Sequence, residues 1–444
     1  MHSAGDSEAA QRRVAGALRG FEPGDRIVLA TPGSADYVDV VLGATRSGVV
    51  PIPLDPRLTR YERDAIIAEV EPRLVIDSTE TLTDLVSGSN EGALAPWPHC
   101  RPMHFTSGTT GRPKGVWSRL LSDDHAEALQ REERDLWGFA ADDINLVVSP
   151  IYHSAPLRFA MGTLLAGGSI EVLTRFDAAE LADTIERIRP TTAFVVPAHL
   201  QRLFGHLDET GRTLDTSSFR LLAHAGAPCP EPVRRRAHEA FGRDVVWEFY
   251  GSTEGQFTAC SADDWLSHPG TVGRARPGRV ITVDENDEIW CSVPPWARFE
   301  YWRDPARTAA AWKDTPDGPA FTVRDLGRVD DDGFVYLDAR RDDLIISGGV
   351  NVYPAEVEAA LEDLDGLVEI AVFGLADDHW GQRVCAAYVG DVTEDALRSR
   401  ANERLAPPKR PKEYRKVDTL PRTATGKVRR REIGARSARD DRAD

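Results

Sequence analysis

Short apolar runs separated by stretches of helical period constrain this chain more than anything else in it. Residues 26–30 (Arg-Ile-Val-Leu-Ala) read as a strand, Tyr37, Val40, Val41 and Ala44 recur at near-helical spacing, and 48–53 is extended again. A helix over 61–70 then leads to an apolar strand at 74–76. Strand, helix, strand, helix, strand is the rhythm of a doubly wound parallel sheet, an α/β architecture. The same alternation returns in strands at 145–150, 169–173, 192–196, 220–224 and 244–249, with helices at 123–137 and 178–187. Residues 1–20 predict a helix, and 77–98 a polar, irregular surface connection.

From about residue 272 the texture changes to Gly-rich, short alternating segments, which predict a small β-rich subdomain over 272–340. The charged run Arg340-Arg-Asp-Asp343 marks a boundary. Beyond it a helix at 354–361, strands at 368–373 and 384–389 and a helix at 394–405 predict a compact α+β module. The expected organisation is a large N-terminal domain over 1–340, a hinge at 341–343 and a small mobile C-terminal domain over 344–444, whose charged tail from Gly434 is expected to be disordered. A chain of 444 residues is long enough for two or three cores.

Charge excludes some functions. The formal net charge of −17 disfavours a general nucleic-acid or anionic-membrane partner, so an anionic ligand must be held by local positive potential. The start lacks a basic segment followed by an apolar one, and no run approaches the ~18 apolar residues of a span, which together predict a cytoplasmic protein without a membrane. Five scattered cysteines, none in C-x-x-C spacing, predict buried thiols rather than a disulfide frame or a zinc site.

One stretch carries chemistry by composition. Over 105–116, Thr106, Ser107, Gly108, Thr109, Thr110 and Gly111 precede Pro113, Lys114 and Gly115. Backbone N–H groups and hydroxyls in such a loop can turn inward as an anion cradle, with Lys114 as a point charge. It is not the common NTPase loop, which needs Gly-Lys-Ser/Thr. Three later stretches accompany it: Tyr250-Gly-Ser-Thr-Glu-Gly255 after a strand, Asp325 with Asp338-Ala-Arg-Arg-Asp-Asp343, and Pro421-Arg-Thr-Ala-Thr-Gly-Lys427. Singly, Glu254 is an ordinary surface carboxylate, Asp325 a turn former and Lys427 one of several tail charges. Their order gives them meaning.

Together, from about Gly24 to Ile433, these stretches resemble the adenylate-forming superfamily of acyl-CoA synthetases, luciferases and peptide-synthetase adenylation domains. The resemblance implies an AMP-forming acyl- or aryl-CoA synthetase that uses ATP, Mg²⁺ and CoA. It places Thr106, Ser107, Gly108, Thr109, Thr110, Gly111 and Lys114 on the phosphates. Gly226, Ala227 and Pro228 would lie beside adenine, with Tyr250, Gly251, Ser252 and Thr253 around adenine and α-phosphate, Asp325 at the ribose, Arg340 as the hinge arginine that also binds ATP, and Glu254 on the metal. It makes Lys427 the catalytic lysine, His153 the gate between nucleotide and acyl pocket, and Asp342 the hinge on which the C-terminal module swings to present a second face. That face would hold the pantetheine arm of CoA against Gly348 and Gly349, with Trp380 near the CoA adenine and Lys409, Arg410 and Lys412 near its phosphates.

The chain also departs from the family pattern. Arg324 and Ala339 stand where glycine is usual, Pro408 replaces an aromatic, and the phosphate loop arrives early. The rival acceptors to CoA are a carrier-protein phosphopantetheine, an amine or nitrite. The partner on the other side is a small carboxylic acid, with His153, Ser154, His224, Phe257 and Ala259 expected around a pocket of moderate size. Arg158, five residues past His153, is either a helix-surface arginine or the partner of a second carboxylate in a dicarboxylic acid.

Overall fold

The computed structural model describes residues 1–106, 113–339, 344–421, Val428, Arg430 and 432–433. It divides into two compact units, one of 1–56, 71–105 and 115–338 and the other of 57–70, the flanks of the phosphate loop and the described residues from 339 onward.

In the first unit an eight-stranded sheet runs in the order His2–Ser3, Ser169–Val172, Ile144–Val147, Thr192–Val195, Leu221–His224, Val246–Glu248, Thr258–Ser261, Arg274–Ala275. Its five central strands are parallel, and the outer strands join antiparallel. A second parallel sheet orders Val50–Pro53, Arg26–Leu29 and Leu74–Ile76. The doubly wound expectation therefore holds. The helices between strands close by ordinary means. In Ala178–Ile188, Asp177 accepts from Ala179 N and Glu180 N, satisfying two orphan donors, while Leu181, Ile185 and Ile188 bury one stripe.

Residues 77–98 correct the sequence reading, because they contain the helix Thr79–Ser87. Ser78 caps it through Thr81 N, and Leu82 and Val86, one turn apart, are buried in the same core as the helices Ala4–Ala17 and Ala35–Arg46. Two apolar residues at helical spacing sufficed where the polar composition suggested a loop.

The β-rich part is an antiparallel sheet ordered Val280–Val283, Ile289–Ser292, Gly318–Phe321, Trp312–Thr315. Phe257, Phe299, Trp312 and Phe321 pack as tilted and edge-on rings with centroids 4.9–5.4 Å apart, the geometry the ring quadrupole favours.

The second unit is built on the long antiparallel pair Leu367–Asp377 and Gly381–Gly390, extended by Ile345–Ser347, Val350–Val352 and Glu413–Lys416. Pro354–Leu361 and Glu394–Arg404 cover one face. The expected boundary at 341–343 misses one element, since Arg60–Val70 groups with this unit. Thr59 Oγ1 donates to Arg404 O at 3.0 Å, and Lys409 Nζ, with only 11% of its side chain exposed, sits 2.9 Å from Glu62 and 2.6 Å from Glu356. A nearly dry ammonium requires carboxylate partners, and this helix supplies one of them. Lys409 is thereby a buried structural cation and not a surface group for CoA phosphates.

Candidate active site

The parallel register sets the site. Leu222 pairs with Val246 and His224 with Glu248, so the segments 226–228 and 250–255 leave the carboxyl ends of adjacent strands, where open α/β sheets hold ligands. Gly226 and Pro228 are exposed there, with Gly226 at φ 90°. The segment from Tyr250 folds back tightly. Ser252 N donates to Gly255 O at 2.8 Å, Phe257 N to Tyr250 O at 2.9 Å, and Gly251 bridges Gln256. A Cβ on Gly251 would lie 2.8 Å from Gln256 Cα, and one on Gly255 2.8 Å from Phe321 Cζ, so both positions exclude a side chain.

Two carboxylates meet this turn. Tyr250 Oη donates to Asp325 Oδ2 at 2.7 Å, with Asp325 8% exposed, and Tyr301 Oη donates to Glu254 Oε1 at 2.8 Å, with Glu254 5% exposed. Tyr301 also pairs with Val116 on the strand Lys114–Trp117, next to the strand His104–Thr106. The strands flanking the phosphate loop are thus tied to the residue that orients Glu254. Gly115 is packed between Phe105 and Trp302, where an added Cβ would lie 2.8 Å from the Phe105 ring and 3.1 Å from Trp302 Cβ. Ser252 Oγ is buried without a hydrogen-bond partner among the described residues. An oriented carboxylate oxygen and an orphaned hydroxyl are hard oxygen donors of the kind Mg²⁺ and phosphate-bound water accept, so the residues fit that ion. Among the described residues no group of three His, Cys, Asp or Glu side chains could hold a metal by itself.

A family model described as AMP-binding enzyme matches residues 3–294, and one described as AMP-binding enzyme C-terminal domain matches 356–427. The chain belongs to the AMP-binding enzyme family. It is 33% identical over 463 residues to the 2-succinylbenzoate–CoA ligase of Geobacillus kaustophilus, covering 95% of this chain and 89% of that protein. The solved o-succinylbenzoate CoA synthetase of Bacillus subtilis matches with a TM-score of 0.84 at 26% identity, over 96% of this chain and 92% of the other. The amide bond synthetase of Marinactinospora thermotolerans matches with 0.83 at 26%, over 97% and 94%.

Other expected residues of this AMP-binding enzyme fall as follows. His153 is exposed at the start of the helix Ser154–Leu165, its ring 4.6 Å from that of Tyr152. Gly348 and Gly349 join Ile345–Ser347 to Val350–Val352 with Ser347 opposite Val350. Their φ values of 58° and 79° make a two-residue turn with both central residues left-handed, which only glycine adopts readily. Trp380 adjoins this hairpin through Gly348 N to Trp380 O at 2.8 Å, is 36% exposed, and has Lys412 Nζ 5.3 Å from its ring. Arg410 directs Nε to Leu405 O at 2.7 Å and Nη2 to Asn402 O at 3.2 Å, carbonyls at the end of the helix Glu394–Arg404. Ser107, Gly108, Thr109, Thr110, Gly111, Arg340, Asp342 and Lys427 lie outside the described residues.

Two pocket expectations are corrected. His224 and Phe257 are fully buried and touch no open volume. Phe257 stacks on Tyr250 with centroids 4.7 Å apart, supporting the site from beneath. His224 has no hydrogen-bond partner on either ring nitrogen, and burial, with Arg234 beside it, pushes its pKa down to about 3. Sequence reasoning missed Tyr301, whose segment Phe299-Glu-Tyr-Trp302 shows no special spacing. It also missed the meaning of Arg324, which takes φ 66° directly before Asp325, at the place where the family usually has glycine. No helix among the described residues is long and apolar enough to cross a membrane.

Proposed function

We propose that this AMP-binding enzyme joins a small carboxylic acid to ATP, releasing pyrophosphate and forming an acyl-adenylate, and then passes the acyl group to the thiol of CoA with release of AMP. The observation that carries this reading is the pair of tyrosine-held carboxylates, Asp325 and Glu254, on one turn at the carboxyl ends of parallel strands. In the first step the acid's carboxylate attacks the α-phosphorus, so two anions must approach. Mg²⁺, when bound, neutralises phosphate charge. Glu254 would hold that ion, oriented by the Tyr301 hydroxyl, while Tyr250 and Asp325 position the nucleoside and Ser252 and Thr253 face its α-phosphate. Lys427 supplies the ammonium that bridges acid and phosphate oxygens as charge shifts toward pyrophosphate.

For the second step the Gly348–Gly349 hairpin and the exposed Trp380 ring favour a thin pantetheine arm and an adenine as acceptor. The likeness to an amide bond synthetase and the Pro408 replacement support a second reading, delivery of the acyl group to an amine or carrier-protein thiol. A panel of carboxylic acids assayed for pyrophosphate release, with and without CoA, tests both. Acyl-CoA formation is expected. Pyrophosphate release unaffected by CoA, with product forming only on added amine or carrier protein, would favour the second reading, and silence across the panel would refute adenylation.

A further inference from the structure

Beside the adenylation turn lies a group of buried charges that the proposed reaction does not use. Arg101, Arg158, Arg276 and Arg279 converge on Glu132 and Glu133 of the helix Asp123–Trp137. Arg276, 4% exposed, lies 2.9 Å from Glu133 and 3.7 Å from Glu132, Arg279 lies 2.8 Å from Glu132, and Arg158 lies 3.3 Å from Glu133. Arg101 has no ion pair within reach among the described residues and meets the others only through longer-range charge. Four guanidinium groups against two carboxylates leave two positive charges in excess, inside a chain whose net charge is −17. The crowding registers on its members. Burial and the neighbouring arginines push Arg101 down to about 10, and although burial works against it, Arg158 and Arg276 hold the Glu133 carboxyl down, to about 2.

Arg158 is the member that reaches the site. It stands one turn after Ser154 on the helix that begins at the His153 gate, so the two share a face. Its Nη2 donates to Gln256 Oε1 at 2.9 Å, and its guanidinium lies 5.4 Å from the Phe249 ring centroid. Phe249 and Gln256 flank the Tyr250–Gly255 segment on either side. Gln256 is itself fixed, donating to Thr258 O at 2.9 Å. Arg158 Nε makes no hydrogen bond in spite of its burial, and 26% of the side chain remains exposed. A guanidinium carries five N–H donors in a fork that fits a carboxylate, and the ion pair with Glu133 through Nε and the hydrogen bond to Gln256 through Nη2 leave the remaining donors of that fork for a ligand.

The geometry points to Arg158 as the specificity residue for an acid that carries a second carboxylate, which would dock on the unused part of its guanidinium while the first is adenylated. The inference rests on the adenylation reading and deepens it. The excess charge of the cluster then has its counter-charge only when such a substrate is bound, and a monocarboxylic acid of equal length leaves the cations uncompensated.

The test uses the full-length enzyme and pairs of acids, glutarate against monomethyl glutarate and adipate against monomethyl adipate, with pyrophosphate release giving kcat/KM for each. The wild type is expected to prefer the free dicarboxylates, and Arg158→Met to lower that preference ~30–100-fold, the scale of losing one partner of a desolvated charge pair. Arg158→Lys, which keeps the charge and loses the fork, is expected to fall between. Because Arg158→Met exposes Glu133 to loss of a partner, a second measurement uses the wild type alone: with ATP present, glutarate is expected to raise Tm more than its monoester. Turnover of monoesters with no preference for dicarboxylates, or a preference unchanged in Arg158→Met, would overturn this inference and leave adenylation standing. No turnover of any acid would overturn both.

Discussion

His224 offers a measurement of how dry the sheet beneath the site is. It ends the strand Leu221–His224, is 0% exposed, and has no hydrogen-bond partner on either nitrogen, so its imidazole is held neutral. Its pKa lies at about 3 in the folded chain against an ordinary 6.5, burial being the larger cause and the Arg234 charge the next. The folded state therefore refuses a proton that the unfolded chain accepts. Stability from this group is fully present above about pH 6.5 and is lost as pH falls toward about 3. Between pH 7 and pH 5 the linkage relation gives a loss of about 2 kcal/mol for this one residue. In His224→Leu the loss should be smaller by that amount, since leucine occupies similar volume and binds no proton. His104, buried, and His199, half-buried, are pushed down to about 4 and about 3, titrate alike in both proteins and cancel in the comparison. Urea unfolding of both proteins at the two pH values, followed by fluorescence, reads the difference directly. Equal losses would refute the reasoning, because they would mean that protonated His224 finds a counter-charge, Glu248 at 3.9 Å being the nearest, or water.

Four further substitutions have expected outcomes. Tyr301→Phe should raise the Mg²⁺ concentration needed for half-maximal pyrophosphate release ~10–100-fold, as loss of a hydrogen bond behind a metal-holding carboxylate does, with rate recovered at saturating Mg²⁺. Arg324→Gly should raise unfolding free energy by about 0.5 kcal/mol, because relief of a left-handed arginine outweighs the entropy glycine adds to the unfolded chain, and thermal unfolding of the two proteins decides its sign. Lys427→Ala should lower adenylation by ~10²-fold or more while leaving thioester formation from supplied acyl-AMP largely intact, and Gly349→Leu should do the reverse; single-turnover assays of the two half-reactions separate them.

Much of the fold was legible because its signals are local. Apolar runs such as 26–30 and 221–224 are short, bounded by turns, and too apolar to sit on a surface, and the structure makes strands of them. The helix Thr79–Ser87 escaped because its only apolar signal is Leu82, Leu85 and Val86 among polar residues, and the surface that buries them comes from helices far away in sequence. The grouping of Arg60–Val70 with the second unit escaped for a related reason: it depends on Lys409, more than three hundred residues on, finding Glu62 as well as Glu356.

The site divides the same way, and the division has a cause. Asp325 and Glu254 stand out from motifs in the sequence, and the structure brings both to one turn. What orients them does not stand out there. Each accepts a hydrogen bond from a tyrosine, Tyr250 in one case and Tyr301 in the other, and only the first lies inside a recognisable stretch. A phenol donor suits this task better than a cation would. It aims a carboxylate by donating a hydrogen bond and brings no charge of its own, whereas Arg234 closes against Glu248 as an internal ion pair. Any aromatic hydroxyl brought to the right place serves, and the fold is free to bring it from any strand that reaches. Here that strand is Glu300–Tyr301, paired to the one leaving the phosphate loop.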